Sequence, residues 1–148
     1  MRPVRMSLVA RAAGVVEIGG LTLGADGSTC ELCTPSDVVV ENVHAYARYD
    51  SNSLSPGHVL VLPRRHVASF FDMSPEEQAA VLALLTQAQQ LLQARHSPDG
   101  YNIGVNVGKA AGQSRMHVHV HLIPRYAGDV PDPRGGIRCV LQGQKRPA

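Results

Sequence analysis

Three histidines separated by single residues stand in the second half of the chain, at His117, His119 and His121. A β-strand sends alternate side chains to the same side, so this spacing predicts three imidazoles on one face of a strand. Near neutral pH an imidazole can act as a nucleophile, as an acid or base, or as a metal ligand. The spacing alone leaves three interpretations open: a reactive site, a metal site made of histidines, and the solvated polar face of an edge strand.

A close pair of cysteines gives the chain a second group with ligand chemistry. Cys30 and Cys33 are separated by two residues, a spacing compatible with a metal site, a redox pair or chance. The third cysteine, Cys139, stands apart and is assigned no role. Because no signal peptide is recognisable at the start of the chain, we expect a cytoplasmic, reducing location, where such a pair favours metal over disulfide.

The composition excludes several classes of protein. The chain has 148 residues, of which 44% are hydrophobic and 18% charged, as expected for one folded domain and not for a disordered chain. A net charge of +2 and the absence of tryptophan argue against a nucleic-acid surface. Arg11 and Glu17 interrupt the first apolar stretch, so no membrane partner is expected.

The strongest element in the sequence is a helix over residues 74–95. Ser74 is a favourable N-cap, Pro75 suits the first helical position, and Glu77 completes a capping box. The apolar residues that follow recur at helical spacing and form one face; they are Val81, Leu84, Leu85, Ala88, Leu91 and Leu92.

Five strands are predicted around this helix, which makes the fold α+β with a mostly antiparallel sheet. In the last strand Val118, Val120 and Leu122 alternate with the histidines, so we expect them to pack on the helix. The predicted strands cover residues 38–40, 44–49, 58–62, 101–107 and 116–123.

Residues 1–29 differ from the rest of the chain because they are rich in glycine. The mostly apolar residues 15–18 and 21–23 flank Gly19-Gly20, so the segment is interpreted as a flexible leader or an extra hairpin. The predicted domain then covers residues 30–136, and residues 137–148 form a C-terminal tail.

The sequence His-Val-His-Val-His-Leu-Ile at residues 117–123 resembles the motif of the histidine triad (HIT) superfamily of nucleotide hydrolases and transferases. Gly112-Gln113-Ser114, the segment 55–63 and the cysteine pair also match, in the same order, so the chain resembles a zinc-bearing, bacterial-type member. The resemblance implies a HIT-like fold, in which one long helix and a short additional helix accompany a five-stranded sheet.

The resemblance implies an enzyme that cleaves at the α-phosphate of adenine nucleotides. His119 matches the histidine that attacks phosphorus and forms a nucleotidyl-histidine intermediate. His121, Ser114 and Gln113 match catalytic contacts to the phosphate and the leaving group. The substrates implied are dinucleoside polyphosphates or nucleoside phosphoramidates. Two alternatives stay open: a dinucleoside polyphosphate phosphorylase, and a non-catalytic nucleotide-binding or interaction protein.

Three further residues are candidates for substrate binding by position. Asn106 matches an asparagine near the α-phosphate, and Asp50 matches a residue that holds the ribose hydroxyls. Lys109 lies in the loop before Gln113, near the expected leaving group. His58 is interpreted as structural rather than catalytic.

The resemblance also implies a structural zinc ion and a homodimer. The ligands of the zinc ion would be Cys30, Cys33, His66 and His117, and the ion would orient His119 indirectly. The alternative is that these four side chains merely pack together without metal. A catalytic zinc across the three histidines is disfavoured because it would leave the cysteines and His66 unexplained. No organic cofactor is expected.

Overall fold

The computed structural model describes residues 16–18, 21–23 and 29–141. Strand β1 (Val16–Ile18) pairs antiparallel with β2 (Leu21–Leu23). The remainder of the predicted leader, and residues 142–148 of the tail, lie outside the described residues. The division of the chain at residues 29 and 30 therefore stays a prediction.

Five antiparallel strands form the main sheet, in the spatial order β3-β4-β5-β7-β6. The architecture is α+β, as predicted. The strands are β3 (Val38–Glu41), β4 (Ala45–Tyr49), β5 (Val59–Pro63), β6 (Gly100–Val105) and β7 (Val120–Arg125), and short 3-10 helices cover Glu31–Cys33, Phe70–Asp72, Lys109–Ala111 and Gly136–Val140.

The long helix α1 (Pro75–His96) begins with the predicted capping box. The Ser74 hydroxyl accepts the Glu77 backbone N–H at 3.2 Å, and the Glu77 carboxylate accepts the Ser74 N–H at 2.9 Å. The helix ends at Ser97, whose backbone is left-handed with φ 48°. None of the helices in the described part of the chain combines the length and apolarity needed to cross a membrane.

The core lies between α1 and one face of the sheet. The side chains predicted to face the helix, Val118, Val120 and Leu122, are buried there with Val59 and Val61 of β5. On the opposite face, a smaller cluster contains Leu32, Tyr46, Leu60 and Leu62. Strand β5 is therefore buried on both faces, which explains its continuous run of apolar residues.

The last strand begins later than predicted, at Val120 instead of residue 116. The backbone N–H of Val118 donates to the Val67 carbonyl at 2.7 Å, so this segment leaves the sheet's hydrogen-bond ladder. His117 and His119 thus precede the strand and are held by other contacts. The sequence did not predict this because the partner of Val118 lies in a distant loop.

Glu77 also joins α1 to the end of β5 through an ion pair with Arg65. The Arg65 guanidinium donates to both Glu77 carboxylate oxygens at 2.8 Å, and these hydrogen bonds lower the pKa of Glu77 below its usual 4.5. Because the folded pKa is the lower one, the stabilisation is present above about pH 4.5 and is lost as the pH falls through the folded pKa.

We predict that Glu77→Gln lowers the free energy of unfolding by about 1 kcal/mol at pH 7. Glutamine can still accept the Ser74 N–H, so the change isolates the charge. The difference from wild type should shrink towards zero below about pH 4.5, as measured by urea denaturation across pH. The control is Glu76→Gln, which removes a charge from the same helical turn but keeps the ion pair of Arg65 and Glu77. It should lower the free energy of unfolding by less than Glu77→Gln. A loss that does not change with pH would contradict this account.

Candidate functional site

A cavity of about 250 Å³ opens on the side of the sheet opposite α1. Its wall includes Leu32 and Leu60 of the smaller cluster, together with Leu54. The structure also brings together five of the residues proposed from the sequence, which all line this cavity: Asp50, Asn106, Ser114, His119 and His121.

The backbone fixes the orientation of the His119 ring. Its Nδ1 lies 2.9 Å from the His117 carbonyl oxygen, which can only accept a hydrogen bond, so Nδ1 carries the proton of the neutral ring. The lone pair is then on Nε2, the nitrogen available to the cavity. A neutral imidazole with a free ring nitrogen is a competent nucleophile.

A chain of three hydrogen-bonding groups assigns the opposite tautomer to His121. The Leu54 backbone N–H donates to Nδ1 of His58 at 3.1 Å, so His58 carries its proton on Nε2. That nitrogen lies 3.0 Å from Nδ1 of His121 and donates to it. His121 therefore holds its own proton on Nε2. A nucleophilic nitrogen on His119 thus stands beside a hydrogen-bond donor on His121, with the two ring centroids 5.0 Å apart.

His58 has a larger part in the site than the sequence indicated. Its side chain is 1% exposed, lines the cavity and contacts His121 directly. The sequence signal was only its place in the Pro-Gly-His segment, which does not reveal a partner 63 residues away.

Burial lowers the pKa of two histidines that line the cavity, His58 and His121. Desolvation, followed by the neighbouring His119 and His58, lowers the pKa of His121 to about 4, and Asp50 opposes this only in part. Desolvation also lowers the pKa of His58, again against Asp50. Asp50 Oδ2 lies 3.4 Å from His58 Nε2 and 3.7 Å from His121 Nδ1, while its Oδ1 accepts the Asn52 N–H. The carboxylate is thus fixed at the cavity wall.

The Gln113 side chain is buried and fully hydrogen-bonded to backbone. Its Oε1 accepts the Gly108 N–H at 2.8 Å, and its Nε2 donates to the carbonyls of Ala68 and Arg115 at 2.7 and 3.0 Å. The side-chain amide thus holds the loop that carries Ser114, and a contact of Gln113 to the phosphate or leaving group stays a prediction of the resemblance. The positive φ of 83° at Gly108 and 86° at Gly112 explains glycine at both ends of the intervening short helix.

The basic residues that line the cavity differ from Lys109, the basic residue proposed from the sequence. Lys109 is exposed on its short helix and does not line the cavity. Arg48 and Arg115 do. Two sequence signals could have indicated them: Arg48 stands two residues before Asp50, near the end of β4, and Arg115 directly follows Ser114.

The four proposed metal ligands converge behind the cavity. One ligand atom each from Cys30, Cys33, His66 and His117 lies within 4.8 Å of all the others. Cys33 Sγ is 3.2 Å from His66 Nδ1 and 3.5 Å from His117 Nδ1. The His117 Nε2–H donates to the Pro63 carbonyl at 2.8 Å, so its Nδ1 lone pair faces the sulfur atoms. This donor set fits a four-coordinate metal site with a supporting carbonyl.

Burial also sets the protonation of these ligands. Desolvation lowers the pKa of His117 to about 4, which keeps the ring neutral and able to coordinate. Desolvation, with the hydrogen bond and charge of Cys30, raises the pKa of Cys33 to about 12. A bound cation reverses the second effect, since thiols coordinate as thiolates.

A second group, Asp50, His58 and His121, also has ligand atoms close together. Its hydrogen bonds do not suit a metal, because Nε2 of His58 carries the proton that donates to His121. A metal on Nε2 of His58 would move the ring proton to Nδ1, and Nδ1 could then no longer accept the Leu54 N–H. The geometry favours a hydrogen-bonded group at this place.

Comparison with known proteins identifies the family. The sequence model described as the HIT domain matches residues 31–128. An uncharacterized HIT-like protein of Methanocaldococcus jannaschii is 40% identical over 95 residues, 64% of this chain and 73% of that protein. An AP-4-A phosphorylase of Mycobacterium tuberculosis is 36% identical over 93 residues. The match covers 62% of this chain and about half (48%) of that enzyme. An asymmetrical bis(5'-nucleosyl)-tetraphosphatase of Schizosaccharomyces pombe is 42% identical over 50% of this chain and 41% of its own length.

A solved structure supports the same conclusion. The Zn-bound histidine triad family protein from Mycobacterium smegmatis superimposes with a TM-score of 0.62 and 30% sequence identity. The match covers 75% of this chain and 89% of that protein.

The hydrogen bonds predict two different neutral tautomers in one site. In ¹H–¹⁵N spectra of the histidine side chains, His119 should carry its proton on Nδ1 and His121 on Nε2. His121 should stay neutral down to about pH 5, because its pKa is lowered to about 4. Asp50→Asn should lower this pKa further, since the carboxylate raises it. An Nδ1-protonated His121, or a pKa near the usual 6.5, would show that the described chain of donors is wrong.

Proposed function

The chain belongs to the HIT domain family, and from that premise we propose that it is a nucleotidyl hydrolase or transferase acting at the α-phosphate of adenine nucleotides. The observation that carries the proposal is the pairing of tautomers at the cavity. His119 offers a lone pair on Nε2, and His121 offers an N–H beside it. The substrates proposed are dinucleoside polyphosphates or nucleoside phosphoramidates.

In the first step Nε2 of His119 attacks the α-phosphorus, and a P–N bond forms as the bond to the leaving group breaks. The bonding electron pair leaves with that group. The imidazole becomes positively charged, and its Nδ1–H bond to the His117 carbonyl stabilises that charge. His121 Nε2–H and the Ser114 hydroxyl donate to the phosphate oxygens, where negative charge accumulates. In the second step the acceptor attacks phosphorus, and the P–N bond breaks with its electron pair returning to Nε2, which restores the neutral ring. When the acceptor is water, its proton is released to solvent.

The rest of the cavity supplies groups suited to a nucleoside. The Asp50 carboxylate can accept from ribose hydroxyls. Leu32, Leu54 and Leu60 offer apolar surface for a base. Asn106 lines the cavity as a donor for the α-phosphate. Gln113 acts from behind by holding the loop of Ser114.

A phosphorylase is the second candidate, distinguished only by the acceptor of the second step. The relatives named AP-4-A phosphorylase and bis(5'-nucleosyl)-tetraphosphatase support diadenosine polyphosphate as a substrate with either phosphate or water as acceptor. The preformed tautomers argue against a non-catalytic binding protein, because binding alone does not require a free nucleophilic nitrogen. A homodimer and a cytoplasmic location stay predictions of the family resemblance.

We also propose that the cluster of two cysteines and two histidines holds zinc. Its two sulfur and two nitrogen donors suit this ion, and a structural relative is Zn-bound. Zinc would cross-link the Glu31–Cys33 turn, the loop after β5 and the segment before His119.

We predict that His119→Ala abolishes turnover of diadenosine tetraphosphate, with a loss of roughly thousandfold or more. Binding of AMP should persist, because the other contacts remain. Products are separated by anion-exchange chromatography, with and without inorganic phosphate. AMP plus ATP in water alone identifies a hydrolase, and ADP plus ATP only with phosphate identifies a phosphorylase. Turnover that survives in the variant would refute His119 as the nucleophile.

We predict close to one zinc ion per chain by elemental analysis of the purified protein. Cys33→Ser should remove most of it and lower the melting temperature, because metal binding stabilises the folded state. Cys139→Ser is the matched control and should keep the metal, since Cys139 is not in the cluster. Equal metal content in both variants would contradict the assignment of ligands.

A further inference from the structure

An ion pair lies across the wall of the cavity. Arg115 Nη1 is 2.5 Å from Glu31 Oε1, and both residues line the cavity. The two side chains remain 42% and 53% exposed. An exposed pair of this kind contributes little to stability. Its position at the site therefore calls for another explanation.

Both backbones are held by hydrogen bonds, while both side chains are partly exposed. The Arg115 carbonyl accepts the amide of the buried Gln113 at 3.0 Å. Glu31 belongs to the short helix Glu31–Cys33, where the Cys33 N–H donates to the Cys30 carbonyl. Breaking the ion pair thus requires only side-chain rotation, without movement of the loops.

Arg48 and Arg115, which line the cavity, would stand at different places along a nucleotide bound as proposed. Arg48 lies two residues before Asp50, the ribose candidate, and its Nε donates to the Tyr49 carbonyl. Arg115 directly follows Ser114, the phosphate candidate. Arg115 is therefore the permanent cation at the phosphate end.

We propose that Arg115 is a specificity-determining residue that binds the phosphates beyond the α-phosphate of a nucleoside polyphosphate. Glu31 occupies the guanidinium in the free protein, and the polyphosphate takes its place. This inference rests on the proposed function and narrows its substrate class. The planar guanidinium can bind two phosphate oxygens at once, which a single carboxylate in an exposed pair does not outcompete.

The consequence is a preference for nucleotides with a chain of phosphates. A dinucleoside polyphosphate offers Arg115 negative charge beyond the α-phosphate. A nucleoside phosphoramidate or AMP offers none there. Replacing Arg115 with an uncharged residue should therefore weaken the binding of polyphosphates more than that of AMP or a phosphoramidate.

The test is calorimetric titration of the full-length zinc-loaded protein with AMP and with ATP, in a His119→Ala background that prevents turnover. Arg115→Gln should weaken ATP binding about tenfold and AMP binding less than about twofold. Glu31→Gln should tighten ATP binding about two- to threefold, since it removes the competing carboxylate. Arg115→Lys, which keeps the charge without the planar fork, should fall between wild type and Arg115→Gln.

The matched controls come from a second exposed ion pair, Arg64 and Glu41, which does not line the cavity. Arg64→Gln and Glu41→Gln change the net charge equally and should leave the ratio of ATP to AMP affinity unchanged. The inference is overturned if Arg115→Gln weakens both nucleotides equally, or neither. If the His119→Ala protein binds neither nucleotide, the proposed function fails as well, so the two failures are distinguishable.

Discussion

The hydrogen bond from His117 Nε2 to the Pro63 carbonyl connects the sheet to both halves of the site. Pro63 ends β5, the strand buried on both faces, so this acceptor has a fixed position. The bond turns the other ring nitrogen of His117 towards the cysteines, and the His117 carbonyl in turn accepts from His119. One buried residue thereby serves both: its side chain joins the metal cluster, and its backbone carbonyl orients the proposed nucleophile. If the ring were reversed, Nδ1 would face the Pro63 carbonyl and the metal cluster would lose this nitrogen.

Burial makes this arrangement chemically useful. Desolvation keeps His117, His121 and His58 from taking a proton at neutral pH, so each ring has one donor and one acceptor nitrogen. Two charged rings at the distance between His119 and His121 would repel each other. With neutral rings, the hydrogen bonds alone decide which nitrogen donates. In the proposed reaction positive charge develops on His119, where the His117 carbonyl is already in place.

Local signals in the sequence predicted those parts of the molecule that depend on neighbours in the chain. The capping box of Ser74 and Glu77, the apolar face of α1 and the inward side chains of the last strand are of this kind. The resemblance singled out four residues whose ligand atoms converge in the structure and five residues that line the cavity. The late start of β7 was not predictable, because it depends on a bond between Val118 and Val67.

Contacts between distant parts of the chain also explain why some residues have other roles in the site than expected. His58 acquires its place through His121, and Gln113 through Ala68, which is 45 residues away in the chain. Lys109 was chosen for its position between Asn106 and Gln113, but the Lys109–Ala111 helix leaves it exposed outside the cavity. The orientation of a side chain in a loop depends on contacts that sequence spacing does not contain.

The central claim is that transfer proceeds through two displacements at the α-phosphorus, with His119 as the intermediate acceptor. The most direct test uses diadenosine tetraphosphate made chiral by sulfur at the α-phosphorus, turned over in ¹⁸O-labelled water, or with phosphate if that is the acceptor. Each in-line displacement inverts the configuration, so two displacements give overall retention. Retention is the result predicted here. Inversion would mean that the acceptor attacks the nucleotide directly, and the proposed nucleotidyl-histidine intermediate would be contradicted.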